Sequence, residues 1–346
     1  MKANLVRKKK YMLQTAFVTA ALMLVLSACG GGDASKSLVE GKTNVVTSFY
    51  PIYYLATEIG GEYANVVNLI PAGVEPHDWT PKSKDLVTAS NAQLFLYNGA
   101  GLEGWTDAFL KGLSKDSKLK VAEMSAGIAL IKGDGEVSHD HEEGHDHDDH
   151  DHADEHAQEA GHEDDGHGHS HDLDTDPHTW VSPKSALVMA ENVKRSLIEA
   201  DPVNEAGYEA NFEALKVKLE ALDNKFETEL SKTARKDIVV SHQAFGYLAR
   251  DYGLKQTAIM GLSPDAEPRA QDLMKIAKFV KENKIPYIFF EELVSPALAE
   301  TLASEAGVET LVLNPAEGLT PEQEKKGDNY ITIMESNLQN LIQALQ

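Results

Sequence analysis

The chain has 346 residues, a formal net charge of −23 and a single cysteine. One cysteine excludes an internal disulfide, and the absence of a basic stripe beyond the amino-terminal segment leaves a nucleic-acid partner without support. The acidity is local: residues 134–176 hold 18 Asp or Glu and no Lys or Arg, so about −5 of the charge remains for everything else.

The chain opens on Lys2, Arg7, Lys8, Lys9 and Lys10, then an apolar run over 16–26, then Leu26-Ser27-Ala28-Cys29 and three glycines. This is the layout of a secretory signal, with an apolar stretch too short for a confident spanning helix. The Leu-Ser-Ala-Cys run resembles a bacterial lipobox, which implies a signal peptide over 1–28, lipidation of the Cys29 thiol and a flexible tether over 29–43. Acyl chains then hold a soluble protein at the outer face of the bacterial cytoplasmic membrane. The alternative is a stray cysteine in an uncleaved anchor.

Beyond the tether, β-rich runs at 44–50, 64–70, 92–97 and 119–124 alternate with helical stretches at 52–59, 82–90 and 102–113. The same rhythm returns with strands expected at 237–241, 256–260, 287–291 and 309–313, and helices at 243–252, 268–283, 296–306 and 321–345. Alternation of this kind argues for two α/β lobes with parallel sheets, over 44–200 and 234–346. Between them, after Asp201-Pro202, the residues Tyr208, Phe212, Leu215, Leu219, Leu222, Phe226 and Leu230 recur at spacings of three and four. They form one apolar face of a long helix over 201–233 that joins the lobes. A coiled-coil dimer would give the same stripe, but burial within a monomer is the expectation.

Eleven of the 14 histidines, His139, His141, His145, His147, His150, His152, His156, His162, His167, His169 and His171, are interleaved with acids. Such a tract over 133–175 cannot build a core, so it is expected to be a disordered loop that collects cations weakly. The other three histidines stand alone. His77 lies in the loop after the second strand, His178 where ordered sequence resumes after the tract, and His242 directly after the strand ending Val239-Val240-Ser241, at the start of the next helix. In open parallel sheets ligands bind beyond the carboxyl ends of the strands, where His77 and His242 belong. Each alone reads as an ordinary surface or capping residue; together, beside a cation-collecting tract, they read as one metal site.

Pro76-His77-Asp78, Asp176-Pro177-His178-Thr179-Trp180, Ser241-His242-Gln243-Ala244-Phe245 and Ser263-Pro264-Asp265-Ala266-Glu267-Pro268 carry, in order and spacing, a resemblance to the cluster A-I metal-binding lipoproteins of ABC importers for zinc and manganese. The chain is most similar to their zinc-specific ZnuA and AdcA branch. The resemblance covers nearly the whole chain beyond the signal. It implies two (β/α)4 lobes joined by a rigid helix, metal in the cleft between them, and an ABC permease and its ATPase as partners. Zn²⁺ suits three histidines and one carboxylate, whereas manganese sites lean toward oxygen. Many relatives place an aspartate after the last strand; here stands Asn314, and Glu317 resembles the glutamate of the zinc branch. Water or a tract histidine are the alternatives for the fourth position. Release of the ion is expected through local movement of the loops around His242 and Glu317. Two other readings use the same residues: a zinc enzyme, which would keep an open position for water but finds no His-Glu-x-x-His helix, and an adhesin or storage lipoprotein.

Overall fold

Among the described residues, short runs, most of them rich in β-branched and aromatic residues, become eight strands in two sheets. The structure, a computed structural model, describes residues 38–133, 174–264 and 268–346. The expectations for Cys29, the histidine tract and Asp265, Ala266 and Glu267 of the proline motif lie outside these residues. The first half runs β1 (Thr43–Thr47), α1 (Tyr50–Gly60), β2 (Ala64–Asn68), α2 (Ser83–Ser90), β3 (Leu94–Tyr97), α3 (Thr106–Gly112), β4 (Lys120–Glu123) and α4 (Pro183–Ala200). The long α5 (Glu205–Ser231) follows. The second half runs β5 (Asp237–Val240), α6 (Gly246–Tyr252), β6 (Lys255–Ala258), α7 (Ala270–Glu282), β7 (Tyr287–Phe290), α8 (Ala297–Ala306), β8 (Glu309–Val312), α9 (Pro321–Lys326) and α10 (Tyr330–Leu345).

Each sheet has four strands, in the orders β2-β1-β3-β4 and β6-β5-β7-β8, and every pairing is parallel. All five residues of the central β1 are buried, as expected of a strand covered on both faces by helices, whereas the edge strand β4 is mostly exposed. Two sheets of identical order therefore turn the carboxyl ends of their strands into loops that can carry ligands.

The 27 residues of α5 span roughly 40 Å. Its buried residues are Tyr208, Phe212, Leu215, Leu219, Leu222, Phe226 and Leu230, the full predicted stripe. They pack against α1 and α4 on one side and α6 and α10 on the other, so one core runs through the helix and joins both sheets. Burial within the chain accounts for the apolar stripe. Leu219→Ala, at a site with no exposure, is expected to cost about 2–5 kcal/mol, read as a lower midpoint in denaturant unfolding.

Several boundaries differ from the sequence expectation by a few residues, and three of the differences have a clear local reason. The segment Pro202–Asn204 is a 3-10 turn, and α5 begins at Glu205. The Asp201 carboxylate pins this turn by accepting from Thr43 Oγ1, Asn204 Nδ2 and Tyr208 Oη. The helix expected over 321–345 is two: Gly327 ends α9 in the left-handed conformation with φ 78°, and the Asn329 side chain caps α10 by accepting from the amides of Ile331 and Thr332. The helix expected from 102 starts at Thr106, after Gly99, Ala100 and Gly101, all with positive φ.

Candidate metal centre

Four loops converge on one point. His77 comes from the loop between β2 and α2, His178 from the turn before α4, His242 from the loop between β5 and α6, and Glu317 from the loop between β8 and α9. His242 thus lies in the loop ahead of α6, not at the helix start expected from sequence. One ligand atom from each residue falls within 4.8 Å of all the others. His178 Nε2 is 3.1 Å from His77 Nε2 and 3.2 Å from His242 Nε2. Glu317 Oε1 is 3.6 Å from His77 Nε2, 3.4 Å from His178 Nε2 and 3.7 Å from His242 Nε2. Four ligands at zinc bond lengths on the corners of a tetrahedron would be separated by roughly 3.3–3.4 Å, so these edges are close to what such an ion requires. All four side chains are buried, with His77 the most accessible at 5%.

The rings are aimed by carboxylates placed behind them in the same way on both halves. Asp176 Oδ1 accepts from His178 Nδ1 at 2.8 Å and from the His178 amide at 2.9 Å. Glu291 Oε1 accepts from His242 Nδ1 at 2.7 Å and also from the His242 amide and the Ser241 hydroxyl. With Nδ1 committed to the carboxylate, Nε2 is the nitrogen that faces the centre, and this outer support stiffens the ring and strengthens it as a donor. Space for the Asp176 carboxylate comes from Gly246, where a Cβ would sit 2.4 Å from Asp176 Oδ2. Asp176→Ala and Glu291→Ala are each expected to weaken zinc binding about 10–100-fold, measured by competition with a chromophoric chelator.

Burial and neighbouring charge set the protonation of the centre. Burial works against the His178 imidazolium, but Asp176 and Glu317 on its two nitrogens prevail and raise its pKa to about 10. Burial pulls His77 below its ordinary value. Glu317 is held well below the usual carboxylate range: burial opposes this, and the imidazoles of His178, His77 and His242 overcome it. Beyond the three imidazoles at 3.4–3.7 Å, neither Glu317 oxygen has a hydrogen-bond partner among the described residues, a condition for a buried carboxylate that a cation would relieve. Burial and the Glu317 charge push Glu75 up to about 9, so it is protonated at neutral pH, accepting from the His77 amide at 3.1 Å.

Asp176, Glu291 and Glu75 have roles that the sequence reading did not assign. Asp176 was within reach, two residues before His178 in a turn-forming Asp-Pro. Glu291 was not, because 49 residues separate it from His242 and only the β5–β7 pairing brings them together. The side-chain amide of Asn314 is spent on Glu292 and Ala316.

Residues 45–344 match the family described as zinc-uptake complex component A, periplasmic. The chain is 42% identical over 321 residues to the zinc-binding lipoprotein AdcA of Streptococcus pneumoniae serotype 4, a match covering 93% of this chain and 58% of that protein. It is 40% identical over 331 residues to the high-affinity zinc uptake system protein ZnuA of Bacillus subtilis, covering 95% and 96% of the two chains. The chain thus spans less than two thirds of the streptococcal relative's length and nearly all of the Bacillus one. The structure resembles the Zn(II)-bound ZnuA-like domain of S. pneumoniae AdcA with a TM-score of 0.70 and 39% identity, over 88% of this chain and 99% of that domain.

Proposed function

The chain belongs to the family of zinc-uptake complex A components, and we propose that it is the extracytoplasmic zinc-binding protein of an ABC importer. In this reading Zn²⁺ is cargo, held by His77, His178, His242 and Glu317 and passed to a permease powered by its ATPase. The observation that carries it is the buried set of three Nε2 atoms and one carboxylate oxygen, all within 4.8 Å of one another. Four protein ligands fill the coordination shell of zinc. A catalytic zinc keeps a position for water, so the closed set favours capture over turnover.

The Leu26-Ser27-Ala28-Cys29 run supports a lipid anchor on Cys29, in keeping with the lipoprotein name of the streptococcal relative. Among the described residues no helix is long and apolar enough to cross a membrane. The histidine tract gathers or senses zinc at the outer surface, and the protein works as a monomer. Release proceeds through the ligand loops. Trp180 Nε1 donates to the Pro315 carbonyl at 2.8 Å, Tyr330 Oη donates to the Trp180 carbonyl at 2.7 Å and Tyr247 Oη donates to the Asp176 carbonyl at 2.7 Å. These bonds tie first-half to second-half segments beside the site and, with α5, oppose a wide parting of the lobes.

Zinc uptake tests the function. Cells that lack the chain should take up zinc poorly from zinc-limited medium, recover with the wild-type chain and fail to recover with His242→Ala. Uptake indifferent to the loss of the chain would exclude import.

A further inference from the structure

The loop from β8 to α9 aims Glu317, whose carboxylate oxygens have no hydrogen-bond partner among the described residues. Its polar approaches are to the three imidazoles, at 3.4–3.7 Å, so the main chain beneath it decides how it reaches them. Ala316, immediately before it and fully buried, has a φ of 57°, the left-handed region that is costly for any residue bearing a Cβ. Such a conformation persists only where its surroundings enforce it.

Two buried carboxamides do so. Asn337 of α10, 2% exposed, grips the main chain of Asn314 from both sides: its Oδ1 accepts from the Asn314 amide at 2.9 Å and its Nδ2 donates to the Asn314 carbonyl at 2.6 Å. The side chain of Asn314 carries the constraint onward, Oδ1 accepting from the Ala316 amide at 2.7 Å and Nδ2 donating to Glu292 Oε2 at 2.6 Å. Glu292 also accepts from Gln323 Nε2 of α9 at 2.6 Å, which fastens the far end of the loop. Each asparagine is used as donor and acceptor at once, which an ionised aspartate cannot do.

We propose that Asn337 and Asn314 are positioning residues for zinc capture: a two-amide relay from α10 that holds Ala316 in its strained conformation and so points Glu317 at the three histidines. This rests on the reading of Glu317 as a zinc ligand. Glu292 follows Glu291 at the end of β7, so neighbouring acids steady the two second-half ligands, Glu291 through His242 and Glu292 through the Glu317 loop. A cavity of about 260 Å³ borders the relay, lined in part by Glu292, Asn314, Gln323 and Asn337. Loss of the relay is therefore expected to speed the ion's departure as well as to weaken its hold.

The test measures zinc affinity by chelator competition and zinc release by stopped flow in the full chain. Asn337→Asp keeps the shape but sets an oxygen against the Asn314 carbonyl; Asn314→Ala removes the grip on Ala316. Each is expected to weaken binding roughly tenfold and to speed release, and neither should add to the loss already present in a Glu317→Ala background. Ala316→Gly, which adopts the left-handed conformation freely, should restore part of the affinity lost in Asn314→Ala. If Asn337→Asp fails to fold, Asn314→Ala and its Ala316→Gly rescue decide. Unchanged affinity and release in the asparagine variants, with Glu317→Ala still weakened, would overturn the relay alone. Full additivity with Glu317→Ala would do the same. Unchanged affinity in Glu317→Ala itself would overturn the ligand assignment beneath it.

Discussion

Replacing His178 with alanine is expected to lower zinc affinity on the order of a hundred- to a thousandfold, more than any change outside the four ligands. Four-ligand zinc sites bind with about 10–16 kcal/mol in all, so one ligand accounts for about 3 kcal/mol or more, and each 1.4 kcal/mol is a factor of ten. His178 is the hub of the set, the nitrogen closest to both other imidazoles and to Glu317. Its removal also leaves Asp176 buried with neither ring nor ion to answer its charge. Chelator competition reads the loss directly. An affinity within threefold of wild type would mean that the ion is held elsewhere.

Zinc binding at pH 7.5 is expected to release about one proton, and affinity should rise about tenfold per pH unit through the neutral range. The proton is that of His178. With its pKa at about 10, this ring is an imidazolium at neutral pH, and a metal cannot share its Nε2 with hydrogen. His77, held below its ordinary value by burial, is already neutral there and contributes none. For the metal-free fold the sign is opposite. A histidine raised above its unfolded value of about 6.5 stabilises fully below that pH and loses the contribution as pH climbs toward about 10. Glu317, depressed in the fold, stabilises above the ordinary carboxylate range and loses its contribution as pH falls through its lowered value. Alkaline conditions therefore loosen the empty site while favouring the loaded one. Calorimetry in buffers of different ionisation enthalpy counts the protons; heats that do not vary with the buffer would contradict the assignment of His178.

Features of the molecule written in local pattern are legible in its sequence. The seven apolar residues of α5 declare their shared face by spacing alone, and the same seven are buried. Most strands announce themselves as β-branched or aromatic runs between turn residues, and the histidines stand out because each interrupts ordinary sequence at a strand end or turn. What was not legible depends on contacts across the sheet or on single dihedral angles. Glu291 is one acid among 55 until β7 is laid beside β5. Asn337 looks like a polar interruption of an amphipathic helix, and only the fold reveals that its amide meets the main chain of Asn314. Nothing about alanine at position 316 hints at a left-handed residue, since that conformation is imposed by neighbours.

X-ray absorption spectroscopy at the zinc edge, on protein loaded with one equivalent of zinc, addresses the coordination shell itself. Three imidazole nitrogens and one carboxylate oxygen at about 2.0–2.2 Å are expected, with an imidazole lost in His77→Ala, His178→Ala and His242→Ala and the carboxylate lost in Glu317→Ala. A first shell that is unchanged by all four substitutions would place the ion outside this centre and contradict the account.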